Sequence, residues 1–272
     1  MTQSPSSITP PARHGRHHLP VPQRVPASRC FSWLASGWRM YAAHPADWTL
    51  MALCSFVLLA LATLLVPIPL IGPIVPPLLL TLLLGGMLHA AASQMQDGQT
   101  HFLQLFEGFR RHPGNLTLIG LFYAAPLILA HLLVMLALGG GLLVSLFGLS
   151  VGGTINTFAS DLISMLVDLG IALGVFLVLW GLLLLAMLFA PALVMEVKAP
   201  PLDAMRLSLT ASLRNIGAIL LLAFILYVLF VLALIPLGLG VLLYIPLVVG
   251  TLHAAYQDLF AAPAGETPDA GQ

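Results

Sequence analysis

Residues 48–96 read WTLMALCSFVLLALATLLVPIPLIGPIVPPLLLTLLLGGMLHAAASQMQ, lie between Asp47 and Asp97, and contain no Asp, Glu, Lys or Arg. A helix needs about 20 apolar residues to cross a bilayer core of roughly 30 Å, so this stretch is long enough for two crossings. Prolines at positions 67, 69, 73, 76 and 77, with Gly72 among them, interrupt it in the middle. The stretch therefore predicts two transmembrane helices joined by a turn, and so a multipass membrane protein.

The composition excludes an ordinary soluble domain. The chain is 59% hydrophobic and 7% charged, with a mean hydropathy of +1.01, whereas soluble domains carry about 25% charged residues. Lys plus Arg and Asp plus Glu number 10 each, so the net charge gives no support for a nucleic-acid partner. Cys30 precedes the first predicted span and Cys54 lies within it, which predicts neither a disulfide nor a metal-binding cysteine pair.

Applied to the whole chain, the same criterion predicts an all-α integral membrane protein with about six transmembrane helices. The predicted spans are residues 48–66, 74–94, 115–138, 170–195, 215–235 and 239–257. They define one polytopic membrane domain, residues 28–260, between a disordered cytoplasmic tail at 1–27 and a polar cytoplasmic tail at 261–272. The glycine-rich segment 139–153 is interpreted as interfacial or re-entrant, and 154–169 is expected to reach water on the far side.

Each pair of predicted spans follows an amphipathic helix. The three apolar faces consist of Phe31, Leu34, Trp38 and Tyr41, of Phe102, Leu105, Phe106 and Phe109, and of Leu202, Met205, Leu209 and Leu213. Helices of this kind lie in the membrane interface, where Trp48 is also expected to anchor the first span. Because this unit occurs three times, and Leu88-His89-Ala90-Ala91 recurs as Leu252-His253-Ala254-Ala255, the sequence predicts an internal repeat.

The positive charges predict the orientation. With six spans and the N-terminus inside, every basic residue falls on the cytoplasmic side, namely Arg13, Arg16, Arg24, Arg29, Arg39, Arg110, Arg111, Lys198, Arg206 and Arg214. Short cytoplasmic segments of membrane proteins carry such an excess of Lys and Arg. The prediction is a multipass plasma-membrane protein with both termini in the cytoplasm.

Two groups of motifs carry a family resemblance. The first is Val25-Pro26-Ala27-Ser28-Arg29, Trp33, Gly37-Trp38-Arg39, Pro45 and Trp48, and the second is Phe189-Ala190-Pro191-Ala192-Leu193-Val194 with Arg214-Asn215. Together they resemble a family of uncharacterised bacterial six-span inner-membrane proteins, a domain of unknown function. The resemblance covers about Val25 to Phe260 and implies that fold and a bacterial inner-membrane location. Since the family has no established activity, it implies no catalytic residue.

Ionisable residues at membrane depth are costly and often functional. His89 and His253 lie near predicted cytoplasmic ends, where a neutral imidazole is expected to reach headgroups or water. His131 is deeper in the third span, where a hydrogen bond to a neighbouring helix is favoured over a proton relay or ligand role. Asp161 and Asp168, at i and i+7, either form the solvated side of an outer loop helix or hold a cation. The loop is favoured, because a hard cation needs more oxygen ligands.

The sequence predicts no catalytic constellation. His131, Ser164 and Asp161 make a poor hydrolytic triad, since no motif places the serine on a sharp turn beside oxyanion donors. The chain also lacks a phosphate-binding loop, an HExxH motif and an aspartate-rich run. We therefore predict no cofactor, no metal site and no enzyme, and rank a membrane-embedded enzyme third among the functional classes.

The remaining site candidates are arginines at or just past the amphipathic helices: Arg39, Arg110, Arg111, Arg206 and Arg214. Basic residues near an anionic leaflet contribute about 1 kcal/mol each, although the same charges also set topology. The favoured hypothesis is a non-catalytic membrane scaffold or lipid-interacting accessory protein, with membrane lipids or another membrane protein as partners. The alternative is a channel or transporter for a small solute, suggested by His131, Asn156, Asp161 and Asp168. The pattern does not predict an oligomeric state.

Overall fold

The computed structural model describes residues 20–65, 68, 71–129, 132 and 155–260, except for the side chains of 155–159 and 161. Every regular element within these residues is a helix. In chain order they are α1 (Arg29–Ala43), α2 (Pro45–Thr63), α3 (Val75–Asp97), a 3₁₀-helix (Phe102–Phe106), α4 (Glu107–Arg110), α5 (Pro113–Leu129), α6 (Ile155–Met187), α7 (Ala190–Val197), α8 (Pro201–Arg214), α9 (Ile216–Leu234) and α10 (Val241–Phe260). The predicted all-helical class is confirmed.

Four stretches are long and apolar enough to cross a membrane: α2, α3, α9 and Leu162–Val197, which combines most of α6 with α7. A fifth arises if Phe102–Arg110 and α5, which meet at 86°, form one bent span. Helix α10 is not among them, because its second half carries His253, Gln257 and Asp258. The structure thus supports four or five candidate spans where the sequence predicts six. The predicted re-entrant segment 139–153 lies outside the described residues.

Helix α1 packs along α10. Its packed face consists of Cys30, Trp33, Gly37 and Met40. A methyl group on Gly37 would lie 2.7 Å from the Leu247 carbonyl oxygen, and one on Gly250 would lie 2.8 Å from the Gly37 Cα. Two helices approach this closely only where small residues meet. The first and last helices of the described residues are therefore in direct backbone contact.

The short helices between α3 and α5 lie directly on α3. A methyl group on Gly86 of α3 would overlap the Leu105 carbonyl group. Similarly, a methyl group on Gly108 of α4 would overlap the Leu82 carbonyl oxygen. Glycine at both positions lets the two backbones touch. These contacts fix the two short helices against the middle of α3, from Leu82 to Gly86.

A break separates α6 from α7. Pro191 has no N–H and its ring clashes with the carbonyl four residues earlier, so α6 ends at Met187. Helix α8 supplies partners for the freed backbone groups. The Phe189 N–H donates to the Ser208 hydroxyl at 3.0 Å, and that hydroxyl donates to the Leu185 carbonyl at 2.8 Å. A broken helix at membrane depth needs such partners, so Ser208 ties α8 to the break.

Residues 20–27, the last part of the predicted disordered tail, lie against the start of α9 and the end of α10. The buried Asn215 side chain accepts a hydrogen bond from the Val25 N–H and donates one to the Gln23 carbonyl, both at 2.8 Å. The Gln23 N–H donates to the Leu259 carbonyl, also at 2.8 Å. This part of the tail makes defined contacts with the membrane domain. Residues 1–19 and 261–272 lie outside the described residues.

We expect Asn215→Ala to release the segment 20–27. The change removes the two hydrogen bonds to Val25 and Gln23, together worth about 1–2 kcal/mol. Cleavage by trypsin after Arg24, which is exposed, should rise about tenfold, provided that opening is fast relative to cleavage. The fragment mass identifies the site. Asn215→Asp, which keeps one acceptor oxygen, should give a smaller increase, and an unchanged cleavage rate in Asn215→Ala would contradict the expectation.

Trp48 is not an interfacial anchor. Its side chain is fully buried, and its indole N–H donates to the Gln94 Oε1 at 2.7 Å. The Gln94 Nε2 in turn donates to the Met40 carbonyl at 2.9 Å. The expectation from the sequence is wrong because this tryptophan has a polar partner inside the protein. The result is a buried connection from α2 through α3 to α1.

Candidate functional site

Several helix ends meet at one end of the bundle, which we call the polar end. The start of α2 meets the end of α3, where a His44 ring nitrogen lies 3.0 Å from the Gly98 carbonyl oxygen. The Asp47 carboxylate there accepts a hydrogen bond from the Phe102 N–H at 3.3 Å. The segment 20–27 joins the start of α9 to the end of α10, and α1 runs from that junction to the start of α2. Helix α1, the end of α8 and the start of the 3₁₀-helix therefore lie at or beside the polar end.

Helix α1 presents three faces. One packs on α10. The apolar face predicted from the sequence is exposed at Phe31 (59%) and Trp38 (50%), whereas Leu34 and Tyr41 are half-buried. The third face is polar and includes exposed Arg39, which donates to the Ser36 hydroxyl at 3.0 Å. Because consecutive residues advance by about 100° around a helix, the packed, apolar and polar faces follow one another around the axis.

Helix α8 has the same three faces. It packs through the small or weakly polar residues Ala204, Ser208, Ala211 and Ser212. Two residues of its predicted apolar face, Leu202 and Leu213, are about half exposed. The other two, Met205 and Leu209, are half-buried. Its polar face carries exposed Arg206 and Arg214, and the Arg214 guanidinium donates to the Pro22 carbonyl at 3.3 Å. The fully buried residues of α8 are thus small, whereas its large apolar residues are half-buried, as Met205 and Leu207 are, or exposed.

The short helices on α3 repeat this arrangement on a smaller scale. Leu105 and Gly108 face α3, whereas Phe109 is partly exposed. Glu107 accepts a hydrogen bond from the Arg111 Nε at 2.8 Å, and its carboxylate lies 3.6 Å from the Arg110 guanidinium. Arg111 therefore holds this carboxylate more closely than Arg110 does.

All five arginines predicted to contact lipid are exposed: Arg39, Arg110, Arg111, Arg206 and Arg214. Arg39 lies on α1, and Arg206 and Arg214 lie on α8. Arg110 ends α4, and Arg111 is the next residue. The structure does not bring them into one cluster. Instead, it distributes them over three helices that pack on three different partners. An arrangement of this kind suits a surface that meets many small anionic groups, rather than a pocket for one ligand.

The polar candidates for transport are placed differently. His131 lies outside the described residues, and so do the side chains of Asn156 and Asp161. Asp168 is exposed on α6. The expected outer loop helix is a continuous part of α6, which begins at Ile155, because no proline or glycine interrupts the chain before Gly170. Among the described side chains, no group of three or more His, Cys, Asp or Glu could hold a metal ion.

Asp258 is a polar contact that the sequence analysis missed. Its carboxylate accepts hydrogen bonds from the Arg29 guanidinium and, at 2.8 Å, from the Trp33 indole N–H. The hydrogen bond from Arg29 is the main cause that holds the pKa of Asp258 below its usual range, against the opposing effect of burial. Asp258 directly follows an uncharged stretch from Asn215 to Gln257, which is the signal that could have identified it. The contact fastens α1 to the end of α10.

His253 does not reach headgroups or water as expected. Its side chain is 1% exposed, and its Nε2 lies 3.1 Å from the Gln257 amide nitrogen. Its Nδ1 and the Thr251 hydroxyl are buried, and neither has a hydrogen-bond partner within the described part of the chain. His89, by contrast, is partly exposed on α3. The two histidines of the recurring four-residue motif therefore have different surroundings.

No family model, curated protein or solved structure matches this chain.

Proposed function

We propose that this protein is a non-catalytic scaffold of the bacterial inner membrane that binds anionic lipid. In this proposal the chain crosses the membrane up to six times, and the polar end faces the cytoplasm. The observation that carries it is the three-faced design of α1, α8 and the short helices on α3. Each has a packed face, an outward apolar face and exposed arginine.

This arrangement fits the boundary between hydrocarbon and water. An outward apolar face costs free energy in water but is favourable against acyl chains. Trp38, which is half exposed, is the kind of residue enriched at that boundary. Arginine beside such a face lies at headgroup level, where an anionic leaflet attracts it. Together, the two faces favour a membrane surface over a soluble partner.

The test compares lipid retention in nanodiscs that contain phosphatidylglycerol and phosphatidylcholine in equal amounts. We expect native mass spectrometry to show preferential retention of phosphatidylglycerol by the full chain. Changing Arg39, Arg110, Arg111, Arg206 and Arg214 together to Gln should reduce this preference by at least tenfold, since a basic residue close to the headgroups contributes about 1 kcal/mol and several such residues are lost together. The matched control changes the same five residues to Lys, which preserves the charge and should retain most of the preference.

Circular dichroism must show that both variants keep the helical content of the parent. A parent protein without preference for phosphatidylglycerol would overturn the proposal. So would a folded glutamine variant with undiminished preference.

The transport alternative remains a prediction. It depends on His131 and Asp161, whose side chains lie outside the described residues. A flux assay in proteoliposomes tests it with His131→Ala and Asp161→Asn. Solute flux that these changes alter would favour a channel or transporter over a scaffold.

A further inference from the structure

The three arginine-bearing segments share a sequence pattern that helical periodicity alone does not reveal. The copies are Leu34-Ala35-Ser36-Gly37-Trp38-Arg39, Leu105-Phe106-Glu107-Gly108-Phe109-Arg110 and Leu209-Thr210-Ala211-Ser212-Leu213-Arg214. Each consists of leucine, two variable residues, glycine or serine, a large apolar residue and arginine. We call this six-residue pattern the arginine motif.

The small residue of each motif makes an equivalent contact. Gly37 lies against the Leu247 carbonyl of α10, and Gly108 lies against the Leu82 carbonyl of α3. The Ser212 hydroxyl donates to the Leu185 carbonyl of α6 at 3.2 Å. In all three cases, a residue with little or no side chain lets the motif helix reach a leucine carbonyl on a long helix.

The partners of the three motif helices follow a cyclic order. Helix α4 packs on α3 and α8 packs on α6, which in both cases is the long helix that precedes the motif in the chain. Helix α1 is the first of the described helices, and it packs on α10, the last of them. Its contact with α10 closes the ring. The three motifs therefore occupy corresponding places in a ring of three units.

The large apolar residue and the arginine of each motif are both exposed, and they follow the small residue in the same order around the helix. Since consecutive residues advance by about 100°, the small residue, the apolar residue and the arginine point in three successive directions. The apolar residues Trp38, Phe109 and Leu213 are 50%, 38% and 48% exposed. Arg39, Arg110 and Arg214 are exposed as well. Each motif thus presents an apolar side chain and a guanidinium side by side.

We propose that the three arginine motifs are equivalent binding sites for anionic phospholipid. At each site the arginine binds the lipid phosphate, and the preceding Trp, Phe or Leu contacts the acyl chains. This inference rests on the proposed function, because it assigns the lipid preference to particular positions. A planar guanidinium can donate two parallel hydrogen bonds to a phosphate. The exposed apolar neighbour selects a phospholipid over free phosphate, which has no acyl chain.

Two other arginines of the same helices serve as matched controls. Arg111 follows Arg110 directly, but its Nε is hydrogen bonded to Glu107 at 2.8 Å, whereas the Arg110 guanidinium lies 3.6 Å from that carboxylate. Arg206 lies on α8 two turns before Arg214, and the preceding Met205 is half-buried. We expect these two arginines to contribute less to lipid binding than the motif arginines do.

The first measurement uses single variants of the full chain in the nanodiscs described above. Arg39→Gln, Arg110→Gln and Arg214→Gln should each weaken phosphatidylglycerol binding about fivefold, the equivalent of ~1 kcal/mol. Arg111→Gln and Arg206→Gln should weaken it less than twofold. If all five single changes have equal effects while the parent prefers phosphatidylglycerol, the proposed function stands and the three-site inference is wrong. If the parent shows no preference, both are wrong.

The second measurement tests the apolar half of one site by fluorescence. The chain has four tryptophans. Trp33 and Trp48 are buried, at 2% and 0% exposure. Replacing the fourth, Trp180, with phenylalanine therefore leaves Trp38 as the main exposed indole. Phosphatidylglycerol with brominated acyl chains should quench this fluorescence more strongly than brominated phosphatidylcholine does. Arg39→Gln should remove the difference, whereas Arg206→Gln should preserve it. Equal quenching by the two lipids in the Trp180→Phe protein would contradict a lipid site at this motif.

Discussion

Replacing Gly108 with alanine should destabilise the protein by about 3 kcal/mol or more. The added methyl group would overlap the Leu82 carbonyl oxygen, which belongs to the backbone of α3 and cannot rotate away. Relief requires α4 and α3 to move apart, which also separates Gly86 from the Leu105 carbonyl. A loss of this size should lower the thermal midpoint in mild detergent by roughly 6 °C or more. Near-ultraviolet circular dichroism would measure it.

Gly217→Ala is the matched control for this prediction. Gly217 is also helical, but apart from its chain neighbours and its own helix backbone, no heavy atom lies within 4 Å of the position that its methyl group would take. Alanine is favoured over glycine in a helix by about 1 kcal/mol, so this variant should be as stable as the parent or slightly more stable. Equal midpoints for Gly108→Ala and Gly217→Ala would show that α4 does not pack against α3 as described.

The helices themselves could be predicted because their causes are local. Uninterrupted apolar stretches and the positions of proline determine where α2, α3 and α9 begin and end within a few residues. The third amphipathic helix, predicted over 202–213, is found at Pro201–Arg214. By contrast, the break at Met187 was missed, although Pro191 is its direct cause. The prediction treated that segment as uniformly apolar and gave its one proline no weight.

The packing faces could not be predicted from hydropathy. In a soluble protein the large apolar residues of an amphipathic helix would pack inward. In a membrane protein lipid is as apolar as the interior, so packing depends on how closely backbones can approach. Helix α8 accordingly packs through Ala204, Ser208 and Ala211 and turns Leu202 and Leu213 outward. The apolar stripes identified in the sequence are real, but within the described structure much of their surface is exposed.

The buried polar contacts were missed for a different reason. Each joins residues that are distant in the chain, and a single sequence does not show which residues meet. Trp48 and Gln94 are 46 positions apart, and Asn215 and Val25 are 190 positions apart. Tryptophan near the start of a span is typical of an interfacial anchor. Only the fold shows that Trp48 has a hydrogen-bond partner within the core.

The hydrogen bond between Trp48 and Gln94 should therefore make a measurable contribution to stability. Trp48→Phe leaves the buried Gln94 Oε1 without its donor, at a cost of about 1–3 kcal/mol. Gln94→Leu should cost more, because it leaves both the Trp48 N–H and the Met40 carbonyl without a partner. The double variant should lose less unfolding free energy than the two single variants lose in total, and the difference should be about 1–3 kcal/mol. Thermal or denaturant unfolding of the four proteins in mild detergent would measure this coupling.

Trp38→Phe provides the control, since Trp38 is half exposed and its replacement should change stability by less than about 0.5 kcal/mol. Additive losses at Trp48 and Gln94 would mean that Trp48 acts through its volume alone. Coupled losses would instead show that the polar contact holds α2, α3 and the end of α1 together. Because Gln94 binds the carbonyl of Met40, the residue after Arg39, the same contact fixes the position of the first arginine motif. A stability experiment within the core thus bears on how the outer surface of α1 is positioned.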